Sequence, residues 1–394
     1  MCRIVSAMIL CSLRNTNLTN TNNTPVNNII TPFAVSIVSS SCRKPRNLLR
    51  IINIRHSSSG DVDYAANFSV CVPPIFDSFD SVPDLVEFIE VNRVLGAQKF
   101  QFYVDSVGPR VDPCLREYSR RGIVDIQPWK LPSDIAGVIY YHGQILAINE
   151  CLYRMMYRTK YLVIQDLDEF VVPMSSDNWV TMLDSINSLT GTDSDRIASY
   201  NIRNRFFPTE LSNASNFSST NSVEHRFKTL VVLQADTQLF PFTERSKVMA
   251  RPDRVIIWHV HLILDSSLVR IGDINARLPA EYAQLFHYRR GITVANTIAE
   301  CRMSTFEELI LRRLNVGTAA ICLTDDYLYP WSYSDSYIRK RGYVFACVRP
   351  FVCPWTLLCV QFSNDFRETL CKLSTGKITL KYFVLCLRRM YLLG

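Results

Sequence analysis

From Phe68 onward the chain alternates short apolar runs with amphipathic stretches. Residues 68–72 form a short, mostly apolar run, the pattern of a buried strand, and Pro73-Pro74 closes it. Ser81 is placed to cap a helix, with Pro83 just inside and Asp84 three positions on. Leu85, Phe88, Ile89 and Leu95 then recur on one face, and Gly96 stops the run. Residues 100–104 predict the next strand, ending at Asp105. A strand, a helix and a strand in about 40 residues is the βαβ pattern of a parallel sheet.

The pattern continues. Residues 115–122 predict a short helix and 123–126 a strand. Residues 143–157 read as a helix that buries Ile145, Leu146, Ile148, Leu152 and Met155. Residues 161–164 predict a strand opening into Asp166-Leu167-Asp168, and later strands are expected at 196–200, 229–233 and 255–264. No internal repeat is visible. The expected fold is therefore α/β, a mixed sheet flanked by helices, over residues 61–328. Residues 1–60 read as a leader followed by an Asn/Ser/Thr-rich stem or linker without a core of its own. Residues 329–394 form an apolar, cysteine-rich extension with no clean period.

Composition narrows the function. The 394 residues are 48% hydrophobic and 20% charged, which is globular rather than disordered. The net charge of +7 comes without a basic stripe interleaved with aromatics, so nucleic acid is not the expected partner. None of the 13 cysteines falls in paired C-x-x-C spacing, which argues against a zinc site. Scattered cysteines fit either an oxidising lumen, with a few disulfides and leftover thiols, or buried free thiols. Residues 1–13 have the length of a signal peptide and are too short to span a bilayer as a helix. Asn17, Asn67, Asn213 and Asn216 each open a glycosylation triplet, which with the leader points to the secretory pathway.

Three D-x-D triplets occur, at 61–63, 166–168 and 193–195, and context separates them. Only Asp166-Leu167-Asp168 follows an apolar strand and precedes another apolar stretch, residues 170–172, closed by Pro173. Ligands of open α/β sheets bind at the carboxyl ends of strands, where this pair stands. If the segment is extended, alternation puts both carboxylates on one side. There they can hold Mn²⁺ or Mg²⁺, hard cations that share oxygen ligands with substrate phosphates and act as Lewis acids on a leaving group. The alternative is a structural pair that caps a loop or meets an arginine. Glu169 should point away and take a salt bridge. His259 and His261 alternate along the 255–264 strand, and His287 opens His287-Tyr288-Arg289, so a histidine could complete the site.

The ordered segments Val70–Pro74, 85–90, 140–144, 147–152, Asp166–Phe170, Arg245–Val248 with Arg251-Pro252, His261 and His287–Arg289 resemble glycosyltransferase family 92, over roughly residues 68–315. The resemblance implies a GT-A-like fold and an inverting galactosyltransferase that uses UDP-galactose and Mn²⁺ on a glycan acceptor, in the Golgi and associated with its membrane. It implies that Asp166 and Asp168 bind metal and diphosphate, with His261 as third ligand and His287 as its rival. Lys247 and Arg289 would offer charge to the diphosphate, His142 and Gln144 would contact the nucleotide, and Asp105 would meet ribose or uracil. The acceptor hydroxyl needs a base, for which Glu244 is the candidate. Glu150 stands where the family pattern leads one to expect Asp, and residues 329–394 match nothing in it.

Two other readings use the same residues. A haloacid-dehalogenase-like phosphatase also opens a D-x-D at a strand end, but wants a small residue and then Thr after it, where this chain has Glu169 and Phe170. A catalytically silent, glycan-binding relative of the transferase is the second.

Overall fold

The computed structural model describes residues 9–12, 18–19, 25–26, 34–38, 48–52, 63–136, 138–190, 196–211, 227–265, 274–314, 317–323, 359–363, 382–386 and 389–392. Two compact units emerge. One comprises Met1–Val62, Pro132–Tyr140 and Gly342–Gly394, the other Asp63–Leu131 and Tyr141–Arg341.

The first unit contains a six-stranded sheet in the order Ile9–Ser12, Tyr382–Cys386, Arg389–Leu392, Leu49–Ile52, Ala34–Val38, Cys359–Ser363. Its strands come both from the stretch read as a stem and from the C-terminal extension. Ala34, Val35 and Ile51 are buried there.

The second unit carries the chemistry. In chain order its elements are β1 (Ala66–Ile75), α1 (Val82–Leu95), β2 (Lys99–Val104), α2 (Val111–Arg120), β3 (Val124–Pro128), α3 (Gln144–Met155), β4 (Thr159–Ile164), β5 (Glu169–Pro173), α4 (Trp179–Thr190), β6 (Ile197–Ile202), β7 (Asn204–Pro208), α5 (Lys228–Val231), β8 (Gln234–Asp236) and β9 (Lys247–Ala250). They continue with β10 (Ile257–Trp258), β11 (Ile263–Asp265), β12 (Ile274–Arg277), β13 (Ala283–Arg289), β14 (Thr297–Ala299), α6 (Glu307–Leu314) and α7 (Gly317–Cys322). A seven-stranded mixed sheet runs β12-β6-β9-β4-β1-β2-β3. β4, β1, β2 and β3 are parallel, and β9 is antiparallel to both its neighbours. A second sheet, β5-β13-β7, starts directly after the acid pair. The α/β architecture is the expected one.

β1 is central and nearly all of it is buried, as a parallel strand covered on both faces must be. It runs through Pro73-Pro74 rather than ending there, and its register against β2 shifts between Val72 and Ile75, where the missing proline N–H groups fall. α1 follows the caps read from sequence. Ser81 Oγ accepts from the Asp84 N–H at 3.4 Å, and Gly96 ends the helix at φ 128°, a backbone that side chains disfavour. Its buried face sets Phe88 against the rings of Phe100, Phe102 and Phe170. Truncating a fully buried phenylalanine of this kind costs about 3–5 kcal/mol. Disulfides join Cys71 to Cys151 and Cys114 to Cys322, while Cys301 is a free, exposed thiol.

Two expected strands are different objects. Residues 229–233 read as a strand, yet Lys228–Val231 makes one helical turn. The buried Glu87 carboxylate accepts from the Thr229 N–H at 2.6 Å and draws Lys228 to 3.2 Å, and this contact overrides a local preference five residues long. Residues 255–264 are a hairpin, β10 against β11, turned by the His259 N–H donating to the Leu262 carbonyl at 2.9 Å. His259 and His261 therefore sit in a turn, and strand alternation does not place them together. Among the described residues no helix is long and apolar enough to cross a membrane. Most of residues 1–13, and of the apolar extension 329–394, lie outside the described residues.

Candidate active site

β4 lies between β9 and β1 and ends at Ile164, so Asp166 and Asp168 emerge at the carboxyl edge of the sheet. The segment is a turn, not an extended strand. The Glu169 N–H donates to the Asp166 carbonyl at 3.1 Å, and Glu169 Oε2 accepts from the Asp166 N–H at 3.1 Å. This corrects the alternation argument. Glu169 is buried beneath the turn and joins the same charge network as the pair it was expected to avoid.

That network is specific. Lys247 Nζ, buried on β9, contacts Asp166 Oδ2 at 3.0 Å and Glu169 Oε2 at 2.9 Å. Burial opposes the ammonium, but the two carboxylates prevail and raise its pKa. His287, on β13, places Nε2 3.3 Å from Asp168 Oδ2 and Nδ1 3.5 Å from Glu169 Oε1. The ring lies against Phe206, with centroids 4.9 Å apart. Burial works against the charged forms of both partners, yet their mutual contact lowers the Asp168 pKa and raises that of His287. Glu169 goes the other way. Burial and the neighbouring acids outweigh Lys247 and push it up to about 7.

Asp166 and Asp168 face a cleft of about 430 Å³. Its floor and apolar wall come from the end of β1 (Val72, Pro73, Pro74, Ile75) with Phe76, Phe79 and Leu167. Its polar side is Asp84, Lys228, Thr209, Tyr288 and Arg290. Lys228 Nζ is held at 2.9 Å by Asp84 and at 3.2 Å by the buried Glu87.

The other residues singled out from sequence fall at different depths. His261 Nδ1 lies 3.0 Å from the Ser246 carbonyl, and its pKa is lowered by burial and by the Lys247 charge. His142 precedes α3 as expected, stacked on Phe76 with centroids 4.0 Å apart, and its carbonyl accepts from Trp129 Nε1 at 2.8 Å. Gln144 opens α3 and is buried. The Asp105 N–H donates to the Ile75 carbonyl at 2.8 Å, which sets the residue beside the end of β1. Arg289 and Glu244 are exposed, and neither lines the cleft. The buried Lys247 does not line it either. The cations that do are Lys228 and Arg290, and both were missed. Arg290 had a signal, since it directly follows the His287–Arg289 segment. Lys228 had none, because its place depends on α1 more than 140 residues earlier. Glu150 is buried against Tyr103 and Arg154, and its carboxylate is structural.

The donor set suits a hard divalent ion. Two carboxylates and an imidazole lie at one strand end, and two ligands about 2.1 Å from one ion at a right angle stand about 3 Å apart, close to the Asp168–His287 spacing. His287 Nδ1, buried and without a hydrogen-bond partner among the described residues, lies 3.5 Å from Glu169 Oε1, close to the carboxylate–histidine arrangement that orients metal ligands. The set is not gathered in advance. Among the described residues no three acid, histidine or cysteine side chains converge as a ready metal cluster, and Lys247 occupies Asp166.

With this geometry in place, comparison with known proteins assigns the class. Residues 66–314 match the profile of Glycosyltransferase family 92, and the chain belongs to that family. It is 29% identical over 177 residues to the Beta-1,4-galactosyltransferase galt-1 of Caenorhabditis elegans, covering 43% of this chain and 40% of that protein. It is 22% identical over 149 residues to the Glycosyltransferase family 92 protein C33H5.2 of the same organism, covering 34% of this chain and 29% of that one. The chain thus spans well under half the length of these relatives. Among solved structures, it overlaps TarS of S. aureus in complex with UDP-GlcNAc at 12% identity and a TM-score of 0.30, over 66% of this chain and 70% of that one. It also overlaps the Mycobacterium tuberculosis glucosyl-3-phosphoglycerate synthase at 12% identity and a TM-score of 0.28, over 68% and 89%. Overlaps this loose define neither fold nor activity.

Proposed function

We propose that the protein is an inverting, metal-dependent glycosyltransferase that moves galactose from UDP-galactose to a glycan hydroxyl. The observation that carries this reading is the acid pair Asp166 and Asp168, set at the carboxyl end of a central strand and open to a cleft, in a chain of this family. The named activity of the C. elegans relative supports galactose as the sugar.

Asp166 and Asp168, with His287, would hold Mn²⁺ or Mg²⁺. When bound, the ion supplies positive charge to the departing diphosphate. Around it, Glu169 keeps the His287 ring in place from behind. Lys247 neutralises the buried acids and holds the turn rigid. Arg290 lines the cleft as a positive charge and lowers the cost of an anionic donor, whereas the charge of Lys228 is matched by Asp84 and Glu87. Apolar groups at the end of β1 shed water from the reacting centre. His142 and Gln144 at the start of α3, and Asp105 at the end of β2, are assigned to the nucleoside. On the family resemblance, we infer that the enzyme works in the Golgi.

One observation favours a second reading. Lys247 already neutralises Asp166, as it would in a glycan-binding relative that has lost turnover. A panel of sugar nucleotides, with and without Mn²⁺, decides between them on wild type and Asp168→Ala. UDP release from UDP-galactose that needs the ion and vanishes in the variant is the expected result. Turnover unchanged by the substitution removes the metal role, and no turnover with any donor favours the silent binder.

A further inference from the structure

The polar side of the cleft carries more chemistry than a diphosphate requires. Asp84 sits in the first turn of α1 and points a part-exposed carboxylate at the cleft. Lys228 binds it through Oδ1 and Ser81 also engages the carboxylate, which has room for about four hydrogen bonds across its two oxygens and so keeps acceptor capacity. Tyr288 lines the same wall. It is 2% exposed, and its buried phenol oxygen has no hydrogen-bond partner among the described residues. A buried hydroxyl without a partner is unfavourable unless a ligand completes it. Thr209 adds a second hydroxyl, and Phe76 and Phe79 add aromatic surface.

We propose that Asp84, held by Lys228 and joined by Tyr288 and Thr209, is the subsite that reads the hydroxyls of the donor hexose and sets which sugar is transferred. The inference rests on the nucleotide-sugar reading above and deepens it. Asp84 and Lys228 cancel as a pair, so the patch suits a neutral polyol better than a second phosphate. It offers an acceptor (the carboxylate), a donor (the ammonium) and two hydroxyls that serve as either, the set that vicinal sugar hydroxyls need. Its position follows from one backbone bond. The Tyr288 N–H donates to the Asp168 carbonyl at 2.8 Å, which fixes this wall beside the acid turn. In a sugar nucleotide the hexose is bonded directly to the terminal phosphate, so a diphosphate at Asp166 and Asp168 delivers the ring here.

The test compares UDP with UDP-galactose by titration calorimetry in Mn²⁺, on wild type, Asp84→Asn and Tyr288→Phe. UDP lacks the sugar and carries more negative charge on its terminal phosphate, so each variant is compared with wild type on the same nucleotide, and UDP reports the effects that lie outside this subsite. The expected result is that Asp84→Asn binds UDP as wild type does, within about two-fold, and binds UDP-galactose about 10- to 100-fold more weakly. Tyr288→Phe removes a single hydroxyl without disturbing the packing, and guards against a misfolded first variant. It should weaken UDP-galactose alone by several-fold. Equal losses for both nucleotides, or none, overturn the assignment while leaving the transferase reading intact. If wild type binds neither nucleotide, the donor reading falls and takes this inference with it.

Discussion

Nε2 of His287 lies 3.3 Å from Oδ2 of Asp168, while the other ring nitrogen faces Glu169 at 3.5 Å. His261, the candidate favoured by the family resemblance, instead turns Nδ1 to the Ser246 carbonyl. If a divalent ion joins the acid pair, His287 is the imidazole already beside it. His287→Ala should reduce Mn²⁺ affinity and metal-dependent turnover by about 100-fold, since losing even an outer partner of a metal ligand costs about 10- to 100-fold. His261→Ala should cost less than about five-fold on the same scale. Calorimetric Mn²⁺ titration of both variants ranks them, and the reverse order restores His261 as the ligand.

Arg289 and Arg290 are neighbours with opposite expectations. Arg289 ends β13 paired with Pro208 and is absent from the cleft wall, whereas Arg290 is part of it. Arg290→Ala should raise the KM for the nucleotide sugar by about ten-fold with little change in kcat, the signature of lost ground-state binding by an exposed cation. Arg289→Ala should leave both parameters within about two-fold. Steady-state kinetics over a donor series reads the difference, and equal effects would mean that the cleft charge is diffuse.

This pair also shows where the sequence stops being readable. The caps of α1, the βαβ order and the acid pair at a strand end all follow from local pattern, because each is fixed within a few residues of chain. The side chains that complete the cleft are not local. Lys228 reaches it only because the buried Glu87 and Asp84 hold it from another element, against the strand preference of residues 229–233. The turn at 165–168 hid equally well. Alternation applies to an extended chain, and the Asp166–Glu169 hydrogen bonds make this one turn back on itself. Glu169, taken from sequence as an acid facing away, is the group that organises the turn from below.

The two disulfides bridge long loops, Cys71–Cys151 across 80 residues and Cys114–Cys322 across 208. By chain entropy each restrains the unfolded state by about 4–5 kcal/mol, an upper figure when the open form retains structure. Cys114–Cys322 ties α2 to α7, so Cys114→Ser with Cys322→Ser should lower the melting temperature by roughly 5–15 °C. The same reductant that unfolds wild type early should then have a smaller effect on the double variant. Melting curves with and without dithiothreitol test this, and a double variant as stable as wild type would show that the bridge adds nothing.

Glu169 makes stability depend on pH in a direction opposite to that of an ordinary paired carboxylate. Burial is the largest influence on it, and with Asp166 and Asp168 it outweighs Lys247 and His287, leaving a folded pKa of about 7 against the usual 4.5. A raised pKa means that the folded state holds the proton more tightly than the unfolded chain. The contribution is therefore complete below pH 4.5 and is lost as pH rises through about 7. His287, raised by Asp168 and Glu169 against its own burial, acts in the same sense: its contribution is complete below 6.5 and fades as pH climbs through its higher folded value. Metal-free wild type should accordingly melt at lower temperature at about pH 8 than at about pH 5. Glu169→Gln keeps an acceptor for the Asp166 N–H but cannot titrate, so the difference between wild type and variant should shrink toward low pH and widen above about 7. Differential scanning calorimetry in chelator across that range gives both curves. Parallel curves would mean that the Glu169 carboxyl titrates alike in the folded and unfolded chains.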